Sequence, residues 1–161
     1  MSRTIIQADL HNAVHAEHIL TLISQYATDI MGGGEDLSAD VKQRLIPSLQ
    51  KRSDAVIILA FVNEEAVGLA ICFEGFSTFY AKPLLNIHDF VVSASYRGQG
   101  IARQMLEEIE RIAADRHCCK LTLEVLEGNV RAQSVYRKYG FKGYELDSET
   151  GKALFWDKKI V

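Results

Sequence analysis

Apolar positions along the chain follow two rhythms. In "RTIIQAD", residues 3–9, they alternate loosely and predict a short first strand. From "LHNAVHAEHILTLISQYATDI" onward the spacing changes. Ile19, Ile23, Tyr26 and Ile30 recur at three and four, which predicts a helix with one buried face. The glycines of "MGGGEDLS" end it. Ser38 is placed to cap a second helix, "ADVKQRLIPSLQKR", with a kink or break expected at Pro47. "AVIILAFV" reads as a buried strand, "NEEA" as a turn and "VGLAICFEGF" as the returning strand of an antiparallel hairpin. "LLNIHDFVVS" is a further strand. A helix then starts near Gly100, with Ile101, Met105, Ile109 and Ile112 on one face. "KLTLEVLE" alternates as a strand, with Leu121, Leu123 and Val125 set against Thr122 and Glu124. "NVRAQSVYRKYG" is a short helix ended by Gly140. "FKGYEL" and "ALFWDKKIV" are expected to close the chain as a hairpin across "DSETGK". The order predicts a mixed α/β sheet in one domain, residues 1–161, rather than a regular array of parallel strands and helices.

Composition narrows the possibilities. Hydrophobic residues make up 48% and charged residues 24% of 161, as in globular chains. A formal net charge of -3 gives no basic face for nucleic acid. "MSRTIIQADLHNAV" lacks the apolar core of a signal peptide, and no run is long enough to cross a bilayer. The cysteines Cys72, Cys118 and Cys119, odd in number and two of them adjacent, do not form a disulfide pattern. The expectation is a reduced, cytoplasmic protein with neither membrane nor nucleic acid as partner.

Candidate chemistry concentrates where "HDFVVS" gives way to "YRGQGIARQMLEEIE". A helix N-terminus offers unbonded N–H groups and about half a positive charge. Gly98 and Gly100, flanking Gln99, let an anion approach the backbone, and Arg97 adds a cation. The P-loop pattern is absent, and "GQGIAR" lacks the third glycine of the dinucleotide fingerprint. A tight strand-to-helix loop that binds nothing would use the same glycines.

"YRGQGIARQMLEEIE" resembles the hallmark segment of the GNAT superfamily of acyl-CoA-dependent N-acetyltransferases, (Gln/Arg)-x-x-Gly-x-(Gly/Ala), at Arg97, Gly100 and Ala102. "NVRAQSVYRKYGF" resembles a second family segment at Asn129, Ala132, Tyr136, Gly140 and Phe141. The resemblance implies the GNAT fold, an α/β (α+β) architecture whose mixed, mostly antiparallel central sheet splays at a cofactor cleft between flanking helices. It implies that the loop Arg97, Gly98, Gln99, Gly100, Ile101, Ala102 holds the pyrophosphate of acetyl-CoA. It also implies that the pantetheine arm pairs with Phe90, Val91 and Val92, with a backbone N–H near Val92 polarising the thioester carbonyl. The family tyrosine matched by Tyr136 lies near the thioester sulfur and is the expected proton donor; Asn129 is a helix cap and an added cofactor contact. Without the resemblance, Tyr136 reads as a core aromatic.

The implied reaction is acetyl transfer to a primary amine of a small molecule or peptide by direct attack. A lysine-like amine, with pKa about 10.4, costs about 4.6 kcal/mol to neutralise at pH 7, so a base or water chain is required. His88 is the base candidate, on the strand where related polyamine acetyltransferases carry a carboxylate. Regular alternation puts its neighbour Asp89 on the opposite face, and a one-residue bulge changes which of them faces the cleft. Glu74 and Glu124 are further candidates. Glu35 and Asp36 suggest a cationic acceptor. The aromatic stretch "CFEGFSTFYAKP" is a candidate wall of the acceptor pocket or a hairpin end packed on the core. His11, His15 and His18 have spacing that can bind metal, but read more simply as a polar helix flank, so no metal is expected. The resemblance also implies a homodimer. The contrasting reading is a non-catalytic acyl-CoA-binding regulatory module.

Overall fold

The computed structural model describes residues 1–160; Val161, the end of the expected last strand, lies outside the described residues. The chain forms two compact units, Met1–Leu123 and a second that begins at Glu124.

The first unit holds a five-stranded sheet in the order β1-β2-β3-β4-β5. Its strands are β1 (Arg3–Gln7), β2 (Ala55–Val62), β3 (Glu65–Ser77), β4 (Lys82–Val92) and β5 (Leu121–Leu123). All neighbours are antiparallel except β4 and β5, which run parallel. Asn63 and Glu64, both at positive φ (48° and 70°), form the tight turn from β2 to β3. Helices cover both faces. α1 (Ala13–Thr28) and α2 (Ala39–Gln50) pack on the side carrying Ile57, Leu59, Leu69, Ile71 and Val91. α3 (Ile101–Asp115) covers the other side, where Met105 lies against Gly68. Central strands buried from both sides need continuous apolar sequence, which explains "AVIILAFV".

The α1 stripe begins as expected, with Ile19 and Ile23 buried, but Ile30 is 84% exposed. The helix ends at Thr28, where Asp29 caps a 3₁₀ turn, Ile30–Gly32, so Ile30 has left the helical face. Asn12 caps the start of α1, accepting from the N–H of Val14. Ser38 caps α2. Pro47 does not break α2, which runs on to Gln50, although a proline there removes the ladder bond that its own N–H would give the Gln43 carbonyl. The α3 face is buried at Ile101, Met105, Ile109 and Ile112.

The second unit contains α4 (Val130–Tyr139), ended by Gly140 at φ 109°. The expected closing hairpin is reduced to one bridge, Glu145 with Lys152. The expected strand "KLTLEVLE" likewise pairs only from Leu121 to Leu123. Alternation there signalled the strand but gave no information on where its partner departs.

Candidate active site

The sheet opens at the end of β5. Leu85, Asn86 and Ile87 pair with Leu121, Thr122 and Leu123, and Asn86 Nδ2 donates to Thr122 Oγ1 at 3.0 Å. Beyond Ile87, β5 does not cover β4. The Ser93 N–H donates to the Val67 carbonyl at 2.8 Å, so that end of β4 is bonded to β3 at alternate residues. Alternation turns the backbone groups of Phe90 and Val92 to the edge that β5 does not cover; Val91, expected to pair there with them, instead turns its groups to β3. The Val92 carbonyl confirms this, since it accepts from Arg97 Nε at 2.8 Å.

The glycine loop follows. Gly98 and Gly100 have φ of 76° and 83°, the left-handed region that favours glycine, and a Cβ on either would enter open space. Among the described residues, no backbone carbonyl accepts from the N–H groups of residues 98–102. Arg3 Nη1 donates to the Gln99 carbonyl at 2.7 Å, which holds that peptide with its Gly100 N–H directed the opposite way. Successive unbonded amides at the start of a 15-residue helix form an anion cradle. An acetyl-CoA diphosphate fits that donor set. Arg97, expected to add its charge to the cradle, instead directs its guanidinium to Val92 and to Asp29, with Nη2 3.3 Å from Asp29 Oδ2.

β4 contains the bulge that decides between His88 and Asp89. Ile71 faces Asp89 and Cys72 faces Ile87, leaving His88 as the extra residue. The two side chains therefore do not lie on opposite faces. Asp89 shares the α1 side with its cross-strand partner Ile71, and the His88 ring meets Phe73, on that same side, edge-on at 5.6 Å. His88 is exposed and Asp89 half-buried. Burial pushes the Asp89 carboxyl above its ordinary range, against the opposing pull of His88. Tyr26 on α1 feels it: burial first, then the charges of Asp89 and Asp29, push its phenol up. Burial, with Asp89 second, raises the Cys72 thiol to about 12.

Other candidates have local roles. Glu74 pairs with Arg116 at 3.0 Å, and Glu124 is exposed in the second unit. Asp36 pairs with Lys42 at 2.5 Å, which removes half of the expected acidic attraction; Glu35 stays exposed. Asp36 and Lys42 border a shallow depression of about 420 Å³ against Thr21, Ser24 and Thr28 of α1. His15 Nδ1 accepts from the Asp9 N–H, and the His18 ring packs on Phe61. The β3–β4 tip does not pack on the core: Phe79 is 94% exposed, beside exposed Phe76 and Tyr80.

In the second unit, Asn129 Oδ1 accepts from the Ala132 N–H at 3.1 Å, as a cap does. Tyr136 is buried and meets the Phe141 ring at 5.8 Å.

Sequence reasoning missed Asp29 and Arg3, and read Tyr26 only as part of the apolar stripe although it lies within the field of Asp89 and Asp29. Asp29 had a signal: an acid at a helix C-terminus opposes the macrodipole. Arg3, 96 positions from its partner, had none.

Residues 21–141 match the family described as Acetyltransferase (GNAT) family. The thialysine N-epsilon-acetyltransferase of Bos taurus is 32% identical over 74 residues, 46% of this chain and 43% of that protein, so this chain spans less than half of that relative's length. The streptothricin acetyltransferase of Escherichia coli is 26% identical over 169 residues, 97% of this chain and 94% of that one. The fold also matches AAC(6')-Iy, solved in complex with the bisubstrate analog CoA-S-monomethyl-acetylneamine, at TM-score 0.77 and 19% identity, over 99% of this chain and 100% of that one. With the family pattern extending from α1 through the glycine loop to the end of α4, the chain belongs to the GNAT acetyltransferase family, a family of acyltransferase enzymes.

Proposed function

We propose that this protein is an N-acetyltransferase that acetylates a primary amine of a small molecule or peptide, working as one functional domain over residues 1–161. The observation that carries this reading is the row of unbonded amides at residues 98–102 beside the β4 edge that β5 leaves uncovered. Acetyl-CoA supplies the activated acetyl thioester. Gly98, Gln99, Gly100, Ile101 and Ala102 hold its diphosphate through backbone N–H groups. Phe90 and Val92 lie along the strand edge, with the Val92 N–H turned toward it, while Val91 gives its backbone groups to β3. Arg97 acts from behind, by fixing the Val92 carbonyl.

The acceptor ammonium must lose a proton. Asp89 is better suited than an ordinary carboxylate, because burial raises its proton affinity. His88, exposed beside it, passes that proton to solvent. Both stand on the α1 side because of the bulge. Tyr136, whose ring packs on Phe141, is the proposed proton donor to the leaving group. The names of the bovine and E. coli relatives support amine acceptors, and that of the AAC(6')-Iy complex supports coenzyme A.

The test is calorimetry with coenzyme A, followed by thiol release from acetyl-CoA across an amine panel of thialysine, lysine, polyamines, aminoglycosides and peptides. Binding with amine-dependent thiol release is expected. Binding without release from any amine would favour the regulatory module, and absence of binding would overturn both.

A further inference from the structure

Asp29 sits where helix stability alone would not put an acid. It is the C-terminal cap of α1, whose last turn contains no basic residue, so its charge faces the negative end of the helix dipole. Its bonds explain its presence. Oδ1 accepts from the Met31 N–H at 2.9 Å, at the entrance to the glycine-rich segment. Oδ2 takes the Arg97 guanidinium, whose Nε holds the Val92 carbonyl at 2.8 Å. The guanidinium thus bridges the end of α1 and the end of β4, one residue before Gly98. Next to it Ser93 Oγ donates to Gln25 Oε1 at 3.1 Å, a second tie between α1 and this turn.

We propose that Asp29 is a positioning residue for the cofactor: it holds Arg97 across Val92, and so keeps both the β4 edge and the residue 98–102 amides in their binding geometry. The inference rests on the acetyl-CoA reading above. Arg97 and Asp29 are each about a third exposed, at 32% and 30%, so the pair is partly screened. Its effect on the cofactor comes through orientation, since a planar guanidinium holds the Val92 carbonyl and the Asp29 carboxylate at fixed angles to one another, which the rotatable ammonium of a lysine does not impose.

The opposite arrangement is also chemically sensible: Asp29 could compete with the diphosphate for Arg97. The two differ in sign. If Asp29 positions Arg97, Asp29→Asn weakens coenzyme A binding; if it competes, the same change tightens it. Calorimetry with coenzyme A on the intact protein should give a Kd about tenfold higher in Asp29→Asn, about 1.4 kcal/mol. Asp29→Glu should recover part of the loss. The KM for acetyl-CoA should rise while the KM for the acceptor moves little. Arg97→Lys should weaken coenzyme A binding similarly, and the double variant Asp29→Asn/Arg97→Lys should be no worse than the weaker single, because both remove one link. A lower or unchanged Kd in Asp29→Asn, or full additivity in the double variant, would overturn the proposal. Failure of the unsubstituted protein to bind coenzyme A would instead remove the functional reading beneath it.

Discussion

Replacing Asp89 by asparagine tests its proposed role as the base apart from its effect on folding. The variant keeps the shape and loses the proton acceptor, so kcat should fall by about 10²–10⁴-fold. Stability should move the other way. A carboxyl whose folded-state pKa is raised contributes native-state stability that is complete below its unfolded pKa, about 3.9, and is lost as pH rises through the folded value. At pH 7 the half-buried charge therefore opposes folding. Asp89→Asn should melt higher than the parent at pH 7, with the gap closing on acidification through the range where Asp89 takes up its proton. Full activity, or a gap that widens on acidification, would remove Asp89 as the base. Tyr136→Phe keeps the ring against Phe141 and removes only the hydroxyl. It should lower kcat by about 10²–10⁴-fold with coenzyme A affinity unchanged; full activity would leave Tyr136 as a packing aromatic. At this scale the sequence marked the neighbourhood better than the side-chain directions. His88 and Asp89 were both visible, but a bulge has no local signature when neither residue is glycine. The Arg97 partner lies 68 positions away.

Elements were more legible, because their periods are local. The buried face of α3, the caps Ser38 and Asn129 and the stop at Gly140 all follow from spacing and capping chemistry. The extent of β5 and the closing hairpin did not, because strand pairing depends on partners distant in sequence. The junction of β4 and α3 is where an element is itself the proposed cofactor site, and that reading can be tested by one methyl group. Gly100→Ala places a Cβ at φ 83°, where nothing in the protein lies within 4 Å. The cost to folding is backbone strain of roughly 1–2 kcal/mol. Coenzyme A affinity should fall at least tenfold by calorimetry, about 1.4 kcal/mol, because the methyl and the altered turn disturb the cradle. Gly151→Ala, at φ 75° and also in open space, is the matched control, with similar strain and no loss of affinity. Equal affinity in the two folded variants would remove the loop from the cofactor site.

Across the whole molecule, burial is distributed unevenly. Leu59, Leu69, Leu106 and Ile109, all 0% exposed, belong to the first unit, whose sheet is covered by helices on both faces. In residues 142–160 of the second unit the apolar side chains lie largely in solvent, with Trp156 82% exposed, and the main chain forms a single bridge. Amide hydrogen exchange should therefore be slowest in β2, β3 and α3, reporting global unfolding, and fastest over residues 142–160. The amides of Gly151 and Ala153, which donate to Asp147 and Tyr144, should be slower than their neighbours. Uniform protection from end to end would show that the C-terminal segment is packed in solution.

The bulge at His88 sets side-chain direction along the whole of β4. Side-chain direction along a strand behaves as a phase, advancing half a cycle per residue, and one supernumerary residue adds half a cycle. Lys82 through Ile87 and Asp89 through Val92 are thus written in opposite phase within one strand. Substituting His88 alters a side chain and preserves that phase difference. Deleting it forces one end of β4 to invert, either sending Leu85 and Ile87 out of the layer where they are buried or turning Asp89 away from Tyr26. Residue count at this point, independent of residue identity, is what lets Leu85 and Ile87 at one end of the strand and Asp89 and Val91 at the other each meet the layer they pack in.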